Sequence, residues 1–287
     1  MAAVFADKLA GAIDAVGAPL CVGLDPVLER LPPGIDRGDP PTALEAFCDG
    51  VIDAVAGVAA AVKPQSACFE RYGAAGVAAL ERVSARAREA GLVVILDVKR
   101  GDIGLTARHY AASAAGMGAD AVTVSPYMGA AVIEASLEAG LGVFALVRTS
   151  NPEGDAVQSA LLERGGTVAD RVAALVAESG RSVVGERGLS DVGAVVGATK
   201  AGEGPTLRGL MPDQVFLVPG VGAQGGSASD LRGMVRPGGR GPGELGVLVA
   251  ASRSVIYSWE GAGGEWHAAV RDAAGEVARE IGEGLGA

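Results

Sequence analysis

The 287-residue chain predicts an α/β protein folded as a (β/α)8 TIM barrel, and three observations carry that expectation. Eight short apolar runs recur at about residues 19–24, 58–63, 92–97, 120–125, 142–148, 193–198, 215–219 and 246–251. Their continuous hydrophobicity is the mark of parallel strands covered on both faces. Ala-, Leu- and Glu-rich stretches of helical character separate them, and the length suits a barrel, for which ~250 residues is typical. A doubly wound open sheet is the alternative fold, but no G-x-G-x-x-G follows the first run, which weakens a dinucleotide-binding reading.

The connecting elements carry their own signals. The first ten residues hold an early acid, Asp7, and apolar residues at helical spacing, unlike a secretory signal. Residues 42–57 predict a helix with Thr42 as N-cap and Glu45 three residues later, the pattern of a capping box. Before it, Leu31-Pro32-Pro33-Gly34 and Gly38-Asp39-Pro40-Pro41 mark an exposed connection. The interval 151–192 contains a helix near 166–179 and leaves room for a lid or an extra helix, with no domain boundary. The chain is therefore expected to form one barrel domain over residues 1–287. Gly220 to Gly246 is glycine-rich and looks mobile rather than repetitive, but taken alone it reads as a plain surface loop.

Composition excludes several classes of function. A net charge of −10 argues against nonspecific attraction to nucleic acid or an anionic membrane, so any anion site must be made locally. Cys21, Cys48 and Cys68 show neither a disulfide framework nor zinc spacing, which fits a reducing cytosol and a cytoplasmic protein. His109 and His267 lack a ligand-spaced partner, so no metal site is expected, and His109 reads as a helix-surface or interface residue. No G-x-S-x-G is present, and no uncharged apolar stretch is long enough to span a bilayer.

Chemistry is concentrated where the apolar runs stop, the end at which barrels place their active sites. The third run leads into Asp97-Val98-Lys99-Arg100-Gly101-Asp102. Residues two apart on a strand share a face, so Asp97 and Lys99 project together, and Asp102 follows from the loop. One Asp-Lys pair would be an ordinary ion pair at a strand exit. Three charges behind five apolar residues suit proton-transfer chemistry, which needs charges held in fixed geometry. The other runs end in Asp25, Lys63, Ser125, the Arg148-Thr149-Ser150-Asn151 segment, the Pro219-Gly220-Val221-Gly222-Ala223-Gln224 segment, and Ser252-Arg253. Ser125, and Thr199 beyond the sixth run, read as capping or turn residues. Barrels often hold phosphate with the loops after the last two strands, where Gly220 and Gly222 permit close backbone approach, Gln224 can donate from its amide and Arg253 can meet two phosphate oxygens.

Taken together, Gly-Leu-Asp-Pro, Val-Lys-Pro, Leu-Asp-Val-Lys-Arg-Gly-Asp-Ile-Gly-x-Thr, Val-Arg-Thr-Ser-Asn-Pro, Pro-Gly-Val-Gly-Ala-Gln-Gly-Gly and the Ser-Arg at 252–253 resemble the orotidine 5'-phosphate decarboxylases, in the longer bacterial branch of that family. The resemblance implies decarboxylation of orotidine 5'-monophosphate to UMP, the last step of de novo pyrimidine nucleotide synthesis, without metal or organic cofactor. It places the family's Lys-Asp-Lys-Asp array on Lys63, Asp97, Lys99 and Asp102, and implies a homodimer in which Asp102, Ile103 and Thr106 enter the neighbouring subunit's site. Asp25 is implied to bind ribose hydroxyls, Ser150 the pyrimidine amide edge with Asn151 beside it, and Gln224 and Arg253 the phosphate, the loop around Gln224 closing over the ligand. One departure is Arg100-Gly101, where shorter-branch members commonly carry an aromatic or aliphatic residue and a histidine.

A related barrel decarboxylase acting on a sugar phosphate keeps a similar Asp-x-Lys-x-x-Asp but uses Mg2+, and wants a carboxylate where this chain has Lys63, a cation that repels a metal. A Schiff-base aldolase is weaker, because Lys99 between carboxylates stays protonated and is a poor nucleophile. A non-catalytic nucleotide sensor is the remaining alternative, and the four retained charges argue against it.

Overall fold

A computed structural model of the chain describes residues 5–221, 228–261 and 265–285. The eight strands are β1 (Leu20–Leu24), β2 (Ala61–Pro64), β3 (Val93–Arg100), β4 (Ala121–Val124), β5 (Gly142–Arg148), β6 (Ser190–Val196), β7 (Gln214–Pro219) and β8 (Val247–Ala251). Each pairs in parallel with its sequence neighbours, and β1 pairs with β8, so the sheet closes into a barrel. The expected (β/α)8 architecture is thus the observed one.

Side-chain parity organises the core. Cys21, Val93, Ile95, Ala121, Phe144, Val195, Val215, Leu217, Leu248 and Ala250 point into the barrel, while their neighbours Val22, Val94, Leu96, Val122, Phe216 and Val249 pack outward against the helices. The period-two alternation of a strand makes this division, and both faces are apolar because both are covered. The N-terminal helix Phe5–Val16 plugs the lower mouth with Phe5, Leu9 and Ile13. The Phe5 ring meets Phe144 edge-on, centroids 5.7 Å apart.

Two strands are displaced from their expected positions. β2 begins at Ala61 because the preceding helix unwinds through a turn in which Val58 and Ala59 both donate to the Val55 carbonyl. β6 begins at the polar pair Ser190-Asp191, which its apolar run did not include; the Asp191 carboxylate accepts from the Ala6 amide at 2.7 Å on the barrel floor.

The expected capping box at Thr42 does not form. The helix runs Pro40–Val55 with Asp39 at its N-cap, and the Thr42 hydroxyl donates to the Asp39 side chain instead. Proline is well suited to a first helical turn, where no N–H partner is needed, so the N-cap lies three residues earlier than expected. The helix expected near 166–179 spans Val168–Gly180 and does carry a capping box, between Thr167 and Asp170.

Candidate active site

Continuing the inward parity upward from the core gives the site. Above Cys21 come Gly23 and Asp25, above Ala61 comes Lys63, above Ile95 comes Asp97, and above Ala121 comes Thr123. Lys63, Asp97, Lys99, Thr123, Ser150 and Asn151 line a cavity of about 460 Å3, with Leu146, Val195 and Leu217 forming its apolar floor. An adjoining space of about 130 Å3 shares Lys63 and Pro219 and is bounded by Asp25, Gly220, Ser252 and Arg253.

Asp97 is the centre of the charged array. Its Oδ2 accepts from Lys63 Nζ at 2.5 Å and from Gln65 Nε2 at 3.1 Å, and its Oδ1 accepts from Thr123 Oγ1 at 2.8 Å and from Lys99 Nζ. Burial alone would raise its pKa, but the adjacent Lys63 and Lys99 ammonium groups outweigh burial and bring it down to about 2. Burial opposes the charge on Lys63, and the neighbouring Asp97 and Asp25 more than offset this, so its pKa lies above the usual lysine value. Both groups are therefore ionised at neutral pH. Lys63 is almost wholly buried, whereas the Lys99 side chain is 47% exposed and faces open cavity.

The β3 backbone departs from simple alternation at this point. Pairing with β4 shifts register between Leu96 and Arg100, and Lys99 is the one non-glycine residue at positive φ (44°) among those described. The Val98 and Lys99 amides both donate to Thr123 Oγ1, at 3.1 and 3.0 Å. Shared strand parity was thus a correct guide to where Asp97 and Lys99 point, but a bulge holds the lysine there. Arg100-Gly101 has a local reason: Arg100 pairs with Glu70 and lies over Tyr110, and a Cβ on Gly101 would stand 2.6 Å from the Ser125 carbonyl oxygen.

At the second compartment, Asp25 Oδ2 accepts from the Ser252 hydroxyl, while its Oδ1 is buried with no hydrogen-bond partner. A buried acceptor without a partner, in a residue that borders a cavity, marks Asp25 as a candidate to take a ligand hydroxyl. Tyr257 fixes this loop: its hydroxyl accepts from the Val27 amide at 2.8 Å and donates to the Asp25 carbonyl at 3.2 Å. Arg253 begins the short helix that follows β8 and borders the same space. Gln224, and the loop closure expected around it, lie outside the described residues.

The segment after β5 covers one side of the cavity. Arg148 is buried, with its guanidinium bonded to Glu203, Asp155 and Ser159, and Lys200 also reaches Asp155. Gln158 accepts from the Thr149 amide and donates to the Thr149 hydroxyl, both at 2.8 Å, which holds Ser150 and Asn151 at the rim. Thr199 donates to the Ser150 carbonyl at 2.9 Å, the turn role expected of it. A Cβ on Gly197 would lie 2.6 Å from Ser150 Cα, so only glycine allows this close approach. Within 151–192, the short helical turns at Pro152–Gly154 and Asp155–Gln158 supply this cover.

Asp102, Ile103 and Thr106 are not brought to this cavity. Asp102 accepts from the Ile103 amide at 2.8 Å, and Ile103 and Thr106 are solvent-exposed. Among the described residues, no group of three or more His, Cys, Asp and Glu is placed to hold a metal ion. Gln65, Thr123 and Gln158 escaped sequence reasoning. Only Thr123 left a signal there, as the one polar residue inside the apolar run Ala121-Val122-Thr123-Val124.

A closed (β/α)8 barrel carrying a lysine–aspartate–lysine array at the C-terminal ends of its strands defines a barrel protein with a charged site where barrel enzymes place theirs. The sequence model of the orotidine 5'-phosphate decarboxylase / HUMPS family matches residues 18–258. The chain is 42% identical over 273 residues to the orotidine 5'-phosphate decarboxylase of Rhodopirellula baltica, covering 88% of each chain. It is 44% identical over 270 residues to that of Salinispora arenicola, covering 90% of each. The solved structure of Leishmania donovani OMP decarboxylase superposes with a TM-score of 0.79 at 31% identity, over 99% of each chain. The chain belongs to the orotidine 5'-phosphate decarboxylase / HUMPS family.

Proposed function

We infer that the chain is an orotidine 5'-phosphate decarboxylase, converting orotidine 5'-monophosphate to UMP with its own charged side chains and no cofactor. The observation that carries this is the Lys63–Asp97–Lys99 array beside a cavity large enough for a pyrimidine ring. The family also includes sugar-phosphate enzymes, but Lys63 puts a cation, ion-paired to Asp97, where a metal-dependent member needs a carboxylate.

Loss of CO2 from C6 leaves an electron pair in the plane of the pyrimidine ring, out of conjugation with its π system. Stabilisation must then come from charge already in place, which is strongest in a dry, preorganised site. Lys99 supplies it as an ammonium directed at C6, then transfers a proton to that carbon, so that CO2 leaves and C–H replaces C–C. Asp97 faces the departing carboxylate, and Lys63 holds Asp97. Asp25 receives ribose hydroxyls, Ser150 and Asn151 meet the amide edge of the base, and Arg253 with Gln224 takes the phosphate. Binding energy from the remote phosphate assists assembly of the site.

The same reading makes the active form a homodimer of single-domain barrels in the cytoplasm, with Asp102, Ile103 and Thr106 delivered to the partner's site. In its favour, Asp102 stands apart from its own cavity, and the surrounding surface exposes Ile103 (59%), Leu105 (66%) and Tyr127 (88%). The direct test follows orotidine 5'-monophosphate by ultraviolet absorbance in metal-free buffer with chelator. The expected result is its conversion to UMP at an undiminished rate; no turnover, or turnover only with added Mg2+, sinks the reading.

A further inference from the structure

We propose that Thr123 is a positioning residue of the reaction, its hydroxyl fixing both the Asp97 carboxylate and the backbone that presents Lys99. The inference rests on the decarboxylase reading above and deepens it. Thr123 is 1% exposed, lies at the centre of β4 and borders the cavity. A hydroxyl has one proton and two acceptor positions. Here both acceptor positions are used by the Val98 and Lys99 amides, so the proton has one destination, Asp97 Oδ1 at 2.8 Å. One oxygen thus determines where the carboxylate points and where the strand bulges.

The bulge matters because Lys99 sits at φ 44°, a conformation that non-glycine residues adopt only when their surroundings hold them there. Without the two amide bonds, β3 gains by returning to extended geometry and regular pairing with β4. Lys99 Nζ and Asp97 would then lose the arrangement in which both meet the cavity. Gln65 and Lys63 bind the other carboxylate oxygen, Oδ2, and cannot replace this constraint.

The test uses Thr123→Val, which keeps the shape and removes the hydroxyl, together with Thr123→Ser and Thr123→Ala, which differ from each other by the oxygen alone. Turnover of orotidine 5'-monophosphate, UMP affinity and circular dichroism are measured for each beside the unmodified chain. The expected result for Val and Ala is a kcat lower by about 100-fold, the scale of an ångström-sized misplacement, with KM and UMP affinity within about threefold. Thr123→Ser should restore kcat to within about fivefold of the parent chain, since it returns the same three hydrogen bonds. A folded Val variant with parental kcat, or equal losses in Ser and Ala, overturns the role. If Val and Ala fail to fold while Ser folds and is active, the hydroxyl is a folding staple alone and the role is likewise overturned. An unmodified chain without activity removes the decarboxylase reading and this inference together, whereas an active parent with an unaffected Val variant removes only the latter.

Discussion

Lys99 and Asp97 touch each other yet should answer very differently to removal. Lys99 is half exposed, so its loss leaves no buried group stranded, and Lys99→Ala is expected to unfold at nearly the parental denaturant midpoint while turnover drops at least about a thousandfold. Near-normal turnover by the folded variant contradicts the mechanism. Asp97→Ala strips the buried Lys63 of its carboxylate partner, and breaking such a pair from one side costs about 3–5 kcal/mol, read as a lower urea midpoint. The depressed Asp97 pKa also fixes a direction for acid sensitivity. Its contribution is fully present above the ordinary carboxylate value of 3.8 and is lost as pH falls toward about 2. A displacement of that size corresponds to about 2 kcal/mol, and the raised Lys63 describes the same pair and adds nothing further. Urea midpoints measured from pH 5 down to pH 2 should fall more steeply for the parent than for Asp97→Asn, and parallel curves would show that the carboxylate contributes no such linkage. The positions of these residues were legible in the sequence because inward strand parity is a local property. The positive φ of Lys99 was not, because a hydroxyl on the adjacent strand imposes it across 24 residues.

Among the elements, two segments share the Thr-x-x-acid pattern and only one forms the box. Thr167-Val168-Ala169-Asp170 follows a glycine pair that ends the preceding turn, so nothing competes for the N-cap, and both reciprocal hydrogen bonds are made. Thr42-Ala43-Leu44-Glu45 follows Asp39-Pro40-Pro41, whose prolines already hold helical φ and draw the start back to Pro40, while Glu45 is taken by Arg82 of the helix Gly73–Glu89. Thr167→Ala should accordingly cost about 1 kcal/mol of stability and Thr42→Ala only a few tenths, measured by chemical denaturation. Equal losses would mean that the helix Pro40–Val55 uses its threonine as a cap after all. The same contrast explains why strand number and order were legible but strand ends were not. Apolar runs report what lies between two covered faces, whereas β6 begins with Ser190-Asp191, polar residues satisfied by Gly180 at the end of the preceding helix and by the N-terminal helix far away in the chain.

At the scale of the whole molecule, the proposed role of Asp102 as the fourth charge of the array bears on how many chains make a site. Asp102 follows Asp97 by five residues and Lys99 by three, yet it lies in the loop after β3 and does not line the cavity that Lys99 faces. A site completed by the partner subunit makes a prediction that a self-contained site does not. Lys99→Ala and Asp102→Asn chains should each be nearly inactive alone. In a mixed dimer, the site on the Asp102→Asn subunit keeps its own Lys99 and receives an intact Asp102 from the Lys99→Ala subunit, while the other site carries both defects. Denaturing and refolding equal amounts together gives about half mixed dimers, each with one intact site, so about a quarter of parental activity should return. If Asp102 acted within its own chain, every site in every dimer would keep one defect and mixing would restore nothing. Sedimentation of the refolded mixture, showing dimers whether or not activity returns, separates that outcome from a simple failure to associate.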